Sequence, residues 1–499
     1  MFSEKKYYEK YKKVRNKFRK YKVESLTEML LTYLHRPEKD SIAYLKKHPW
    51  LCLLLMKWIL IDNDNRGNKR IIDSVNADKL LNATYDLSDS IRMPNEYDHH
   101  ILFFRNIAFQ QFIFQHEFSG AHISRQFLLF ADLPDNHLIK TKFFQLTNLT
   151  IEKFLYLSLV TITKIISANE YSISISWFAS LKSICSEVDV ETYLNLLSND
   201  LYELKDIMKI NDNSRRLSSE YYEQSPFVEF PFLKINNKYI CIEKYILYRC
   251  IENFVYDKLR KWDSQRFMDK FGRVFENYIN RNIDNMGLPY YTENDLRTLV
   301  GNNQSSLVDF IIVDNESNIF VDAKAVEMSP KGKITHLSDV VRNSTKTSII
   351  KAIEQSHGIN DYINTNKINY QKLRSRSNNF LLVITYKELY LGNGVTFHEA
   401  IAKEKINEIY EKYPKSTHIP LENMYFLTVE EFDVFSEAIK SNQIGLVEGL
   451  EKAKLADSDA SSRKFDFHLH LNTFLSKSET PSYLKNRLAQ VFASIISDI

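Results

Sequence analysis

Ser306-Leu307-Val308-Asp309-Phe310-Ile311-Ile312-Val313-Asp314-Asn315-Glu316-Ser317-Asn318-Ile319-Phe320-Val321-Asp322-Ala323-Lys324-Ala325 is the stretch that decides the fold. Val308–Val313 and Ile319–Val321 are rich in β-branched and aromatic residues, which suit a packed strand. Asp314-Asn315-Glu316-Ser317 between them is turn chemistry. A turn centred on Asn315-Glu316 sets Val313 opposite Asn318 and Asp309 opposite Asp322. Opposed residues share a face, with Cβ atoms about 4.5–5.5 Å apart. The strand period of two brings Lys324 to that face as well. Both faces are otherwise apolar, with Phe310, Ile312 and Val321 on one and Ile311, Val313 and Phe320 on the other. The hairpin is therefore expected in an interior. Two carboxylates opposed there repel, and burying them unpaired is costly. A divalent cation between them, with a lysine one step along, removes that cost, so the pattern points to a metal site.

Bulk properties set the frame. A chain of 499 residues, 44% hydrophobic and 26% charged, is expected to form two to four ordered domains. A net charge of +3 excludes a polycation, so any nucleic-acid surface must be a local patch. Only 11 Gly and 11 Pro imply few long loops and much helix. Cys52, Cys185, Cys241 and Cys250 form no C-x-x-C pair and read as buried free thiols of a reducing compartment. Met1-Phe2-Ser3-Glu4-Lys5-Lys6 has no apolar signal-peptide core. The longest apolar run, Trp50–Ile61, is broken by Lys57 and falls short of the roughly 20 residues that span a bilayer. A cytoplasmic protein with no membrane partner is expected.

Residues 5–22 are basic and studded with aromatics. Tyr7, Tyr11, Val14 and Phe18 recur at helical spacing and leave a cationic face. That face reads either as phosphate-tracking or as the solvated side of an amphipathic helix. Residues 24–210 are almost wholly helical in pattern, with Ser25 or Thr27 as a candidate first cap. No catalytic constellation appears there. His99-His100 beside Glu96 and Asp98, like His116 and His122, fit no common metal spacing and read as surface loop. Residues 1–215 are assigned to sensing, to a partner protein or to homo-oligomer formation. Residues 210–225 lose periodicity and read as a linker. The 216–262 connector then holds a hairpin around Asn236-Asn237 and a helix from about 244 to 260.

The next helix carries Phe267, Phe271, Val274, Phe275, Tyr278, Ile279 and Ile283 as one apolar stripe. Glu276 lies at its edge, either reaching into a cleft or solvated, and Gly272 one turn earlier would allow close backbone approach. An extended segment is expected near 288–300. After the hairpin, Met328–His336 reads as a basic, mobile loop, and a helix from about Thr345 to Asn364 as capped by Ser344 or Thr345. Phe380–Tyr386 suits a strand buried on both faces. Toward the C-terminus the pattern gives a helix at 396–412, a strand at Met424–Val429 and helices at 429–440, 443–454 and 481–497. Asp457–Ser462 reads as a loop. His468 and His470 read as structural strand neighbours with no carboxylate near them.

Helix with Glu276, extended segment, strand with Asp309, strand with Asp322-Ala323-Lys324, helix, strand: this order resembles the core of the PD-(D/E)XK nuclease superfamily, over roughly 265–390. Val308 stands where the family name has proline, and Asp322 replaces the commoner Glu. Some branches place a glutamine in the following helix, and Gln355 is the matching candidate, without the tyrosine that accompanies it. The resemblance implies an α+β chain. A large all-helical N-terminal region precedes a restriction-endonuclease-like α/β core at 263–430, a central mixed sheet flanked by helices, and a helical part at 431–499 follows. It implies Mg²⁺ or Mn²⁺ held by Asp309, Asp322, Glu276 and the Ala323 backbone carbonyl, with Lys324 placing the nucleophile or stabilising the anion. Lys331, Lys333, His336, Arg342 and Lys346 follow the site and read as nucleic-acid contacts or as loop solvation. The implied activity is Mg²⁺-dependent endonucleolytic hydrolysis of DNA, similar to prokaryotic antiphage defence effectors. The same residues suit an RNA nuclease, for example one cutting tRNA. A non-catalytic nucleic-acid-binding scaffold is a third reading, against which the intact Asp309, Asp322 and Lys324 set argues.

Overall fold

The computed structural model describes residues 2–35, 48–64, 67–115, 118–210, 216–236, 238–300, 307–314, 317–366, 369–370, 373–459 and 461–497. The chain is a mixed α+β protein with helical N- and C-terminal regions. It divides into two units, Met1–Asp263 with Arg487–Ile499, and Ser264–Asn486. The connector expected at 216–262 belongs to the first unit, and residues 431–486 belong to the second.

In the first unit the basic segment forms the Glu4–Phe18 helix, with Tyr7, Tyr11, Val14 and Phe18 buried as their spacing requires. The Val23–His35 helix starts ahead of Ser25 and Thr27, so neither caps it, and Ser25 Oγ accepts the Ile72 N–H at 3.0 Å instead. The Pro49–Asp62 helix is buried on nearly every side and starts with Pro49, where a missing N–H costs little. His99 lies outside a simple loop: its Nδ1 accepts the Ile101 N–H and caps the His100–Gln111 helix. His116 lies outside the described residues. The expected linker is not a linker beyond residue 215. Arg216, 3% exposed, pairs with Asp62 at 2.9 Å and Glu220 at 3.2 Å, and Glu220 accepts the Trp58 indole N–H at 2.9 Å. A buried guanidinium between two carboxylates and an indole has its charge answered from both sides.

This unit is not all helix. Ser172–Ile173 (β1) and Ser198–Asn199 (β2) flank the hairpin of Phe232–Ile235 (β3) and Lys238–Cys241 (β4), in the order β1-β4-β3-β2. Each fragment satisfies backbone groups along an edge of the hairpin. Asn236 takes the left-handed conformation (φ 47°) that the turn needs, and Asn237 lies outside the described residues. The Lys244–Trp262 helix follows. All four cysteines are buried, and none is in a disulfide among the described residues. Among the described residues no helix is long and apolar enough to cross a membrane.

The second unit is built on a five-stranded sheet, ordered β11-β10-β7-β6-β5. Tyr290–Thr292 (β5), Phe310–Asp314 (β6) and Ser317–Lys324 (β7) form an antiparallel meander. Asn369–Tyr370 (β8) and Leu373–Arg374 (β9) pair separately. Asn378–Thr385 (β10) returns parallel to β7, and Met424–Thr428 (β11) lies parallel to β10. A parallel return needs a crossover, here the helices Ser338–Thr345 and Lys351–Thr365 joined through a π-helical turn at Lys346–Ile350. Phe380–Ile384 is fully buried, as its unbroken apolar run requires.

Several local readings change. Only Tyr290–Thr292 of the 288–300 segment is extended. Thr292 and Asp295 cap each other's N–H groups (2.9 and 3.3 Å) and start the Glu293–Val300 helix. The crossover helix starts at Ser338, and Ser344 and Thr345 hydroxyls bond back to the Val340 and Val341 carbonyls inside it rather than capping it. Met328–His336 is anchored, since Met328 and Gly332 are buried and Ser329 Oγ accepts the Gly332 N–H. Gly272 meets no close backbone: nothing lies within 4 Å of where its Cβ would be. Asp457 sits in the Leu446–Ser458 helix, and His470 on the Phe467–Phe474 helix, with Nε2 3.2 Å from the buried Asp457 carboxylate.

His357 gives this unit a pH dependence. It is fully buried, with Nδ1 2.8 Å from the Ile353 carbonyl and Nε2 3.2 Å from the Ile419 N–H. One nitrogen donates and the other accepts, so the neutral ring is satisfied and a second proton has no acceptor. Burial lowers its pKa from 6.5 to about 4. The contribution of this group is complete above the unfolded pKa and is lost as pH falls from 6.5 toward 4, at up to about 1.4 kcal/mol per pH unit. His357→Gln is expected to lower Tm near neutrality and to flatten its fall across that window. Scanning fluorimetry at stepped pH checks this, and an unchanged slope in the variant would refute it.

Candidate metal centre

The register expected for the hairpin is the one observed, with Phe310 opposite Val321 and Val313 opposite Asn318. The Asn315-Glu316 turn lies outside the described residues. One step further along, Asp309 occupies the bend before β6 and faces the Asp322 position. Its Oδ2 accepts the Ala323 N–H at 2.7 Å. The strands are buried on both faces from Phe310 to Val313 and from Ile319 to Val321. Asp322 is fully buried, and Lys324 Nζ lies 2.5 Å from its Oδ1. Among the described residues no hydrogen bond reaches either Asp322 oxygen besides the Lys324 ion pair.

Electrostatics follow from this enclosure. Burial, then the Asp322 charge, raises the Asp309 pKa, while Lys324 and the Ala323 N–H oppose the rise. Glu276 projects half-buried from the Ser264–Met286 helix. Burial, then Glu293 and Asp322, raises its pKa, and Arg273 and Lys324 offset part of the effect. Glu293 begins the Glu293–Val300 helix and is paired with Arg297 one turn on. One carboxylate oxygen from each of Glu276, Glu293 and Asp309 lies within 4.8 Å of the other two.

These residues fit a small hard cation. Metal–oxygen bonds of about 2.1 Å need ligand oxygens about 3–4 Å apart, within a small side-chain adjustment of this trio. The donor set is oxygen alone, which favours Mg²⁺ or Mn²⁺ over thiolate- or imidazole-seeking metals. The sealed Asp322 oxygens, short of donors, add negative charge behind the trio. In a strand the N–H and C=O of one residue leave by the same edge. The Ala323 carbonyl therefore leaves on the Asp309 side, while the Lys324 carbonyl accepts the Tyr386 N–H on the other.

Of the residues singled out in the sequence, Glu276, Asp309, Asp322, Ala323 and Lys324 come together. Glu293 was not among them, because its segment read as extended. The Thr292-Glu293-Asn294-Asp295 capping pattern was the signal that places it on a helix start beside β5. Gln355 donates to the Leu307 carbonyl at 2.5 Å and its Oε1 is buried, so it braces the chain leading into Asp309. Arg342 pairs with Asp339 at 2.8 Å and lies 3.9 Å from Glu404. Lys331 and Lys346 are exposed, and Lys333 and His336 partly so. No protein-family model, curated protein or solved structure matches the chain.

A cation bound here should stabilise the fold. At about 100 times its Kd the gain is about 2.7 kcal/mol, or a Tm rise of about 5–10 °C for a unit of this size. Protons compete at Asp309 and Glu276, whose pKa values are raised, so the rise is expected to shrink as pH is lowered through neutrality. Asp309→Asn is expected to abolish it, and Glu293→Gln to weaken Mn²⁺ affinity about tenfold. Calorimetric titration reads both, and an unaltered Glu293→Gln affinity would remove that residue from the ligand set.

Proposed function

We propose that the Ser264–Asn486 unit is a Mg²⁺- or Mn²⁺-dependent endonuclease that hydrolyses phosphodiester bonds in DNA. The observation that carries this reading is the Lys324 ammonium, 2.5 Å from a buried carboxylate on the face that also presents Asp309. Glu276 and Glu293 adjoin that face. The order helix, three-strand meander, helical crossover and parallel strand supports a restriction-endonuclease-like core.

Asp309, Glu276 and Glu293 would hold the cation, with Asp322 and the Ala323 carbonyl behind them. When bound, the cation polarises the phosphodiester and makes its water more acidic. Lys324, fixed by Asp322, presents a positive charge to a phosphate oxygen and draws the substrate onto the carboxylate face. The Glu276 oxygen left off the cation would orient the attacking water and accept its proton. The water oxygen bonds to phosphorus, the opposite P–O bond breaks, and the leaving oxygen takes a proton from solvent. The half-buried floor keeps these charges strong by excluding bulk water.

Plasmid, linear DNA and total RNA incubated with Mg²⁺ or with chelator test this reading. DNA cleavage is expected only with metal. Asp322→Ala and Lys324→Ala are each expected to slow it by about 10²–10³-fold or more. Cleavage that persists in both variants would sink the site assignment, and cleavage confined to RNA would reassign the substrate.

A further inference from the structure

We propose that the basic face at the end of the Glu4–Phe18 helix binds the phosphate backbone of a nucleic acid, as a contact separate from the metal centre. Residues 5–22 hold ten Lys and Arg against one acid, Glu9, although the whole chain carries only +3. Lys6, Lys10, Lys13 and Lys17 recur at helical spacing as a stripe beside the buried Tyr7, Tyr11, Val14 and Phe18. Eleven residues of helix rise about 16 Å, the span of about five phosphates along one B-DNA strand.

The fold enlarges this stripe with charge from elsewhere in the sequence. Tyr21 and Arg70 form a parallel bridge, with Lys22 N–H to the Arg70 carbonyl at 2.9 Å and Arg70 N–H to the Lys20 carbonyl at 3.1 Å. Lys17 Nζ reaches the Lys79 carbonyl at 3.4 Å. Lys17, Arg19, Lys20, Lys22, Arg70 and Lys79 are all exposed. Asn63 fixes the turn beneath this face: its carbonyl accepts Lys205 Nζ at 2.8 Å and its Oδ1 accepts Lys69, though Lys205 is buried and Lys69 is paired with Asp64, so neither adds to the exposed charge. Its Nδ2 meanwhile donates to the Tyr21 carbonyl at 3.0 Å.

Asp89 answers one member of the stripe, Lys10, at 3.6 Å, and the other nearby acids already have partners. Asp62 is taken by Arg216 and Tyr11, Asp64 by Lys69 and Glu9 by Lys12. Asp73 caps a helix, and Asp78 meets the Tyr33 hydroxyl. Among the described residues Lys13, Lys17, Lys20, Lys22, Arg70 and Lys79 have no ion-pair partner, so the face keeps its charge. Lipid is disfavoured, because the apolar side of the helix is wholly buried and only Ile71 and Val75 stand exposed near Arg70. A linear run of unpaired cations matches a polyanion whose charges are also linear.

The test uses the full chain carrying Asp322→Ala in chelator, so binding is read without cleavage and independently of the metal-centre reading. Fluorescence anisotropy with labelled 30-base-pair DNA and 30-nucleotide RNA is recorded across a salt series. Lys13→Glu with Lys17→Glu and Lys20→Glu is expected to weaken binding at least tenfold and to reduce the salt slope by about 3. The Gln counterparts, with Tm matched to the parent, should weaken it less, which separates charge from folding. Unchanged affinity in both helix variants would overturn the proposal, as would binding to phosphatidylserine vesicles without binding to either nucleic acid.

Discussion

Two carboxylates opposed on one face of an apolar hairpin are the constraint to which the second unit answers. Like charges about 5 Å apart repel by about 3 kcal/mol at an effective dielectric of 20. The fold meets that repulsion with three devices. Lys324 neutralises Asp322 directly, the Ala323 N–H donates to Asp309, and Asp309 holds its proton more tightly than an exposed aspartate. All three depend on register, since a slip of one residue would send Asp322 and Lys324 to the opposite face. The register is held by apolar partners on both sides of β6 and β7 and by the β10 strand lying parallel to β7. Stability of the sheet and placement of charge are thus one problem with one solution.

This explains which parts were legible in the sequence. The hairpin register could be read because alternation, turn chemistry and two-sided burial agreed. The helix stripe from Phe267 to Ile283 and the β10 strand were legible for the same reason, each being a strong local period. Glu293 was not legible as a site residue. Its relevance depends on a capping box that turns the chain into a helix directly after β5. Ser344 and Thr345 look like caps, yet their hydroxyls are equally able to bond back inside a helix, and only the upstream start at Ser338 decides between the two. The fragment β2 carries no strand signal of its own, and β1 lies in a short alternation, Tyr171-Ser172-Ile173-Ser174-Ile175, that the surrounding helical pattern masks. They are extended because the β3–β4 hairpin has edges to fill, which is information far away in sequence. Arg216 was misread for a similar reason: a charged, aperiodic stretch looks like linker until distant acids are found waiting for it.

The first unit uses charge in two opposite ways. At Arg216 the charge is consumed by the fold, enclosed by Asp62 and Glu220 with Tyr11 and Trp58 around them. Replacing one member would strand another in the interior, so this network specifies a packing arrangement more than it adds stability. Along the Glu4–Phe18 helix the opposite holds. Its buried stripe is built from Tyr, Val and Phe; Lys10 and Lys17 reach back to the Asp86 and Lys79 carbonyls, while Lys13 stays exposed without an ion-pair partner among the described residues. Mutual repulsion among such residues makes their clustering unfavourable to the fold.

That asymmetry is what gives the near-neutral total its meaning. A chain of +3 with mixed charges spread evenly would show no field at any surface. Here the acids near the helix are engaged, by Arg216, by Lys69, by Lys10 and at a helix start, while Lys13, Lys17, Lys20 and Lys22 remain exposed. The cations are clustered already in residues 5–22, and folding adds Arg70 and Lys79 to them, so the local potential exceeds anything the net charge suggests. The acidic cluster of the second unit has the opposite sign, where Glu276, Glu293 and Asp309 converge and Lys324 is the cation that answers Asp322. Three carboxylates converging in this way repel any phosphate near them, and only a cation among them would reverse that sign.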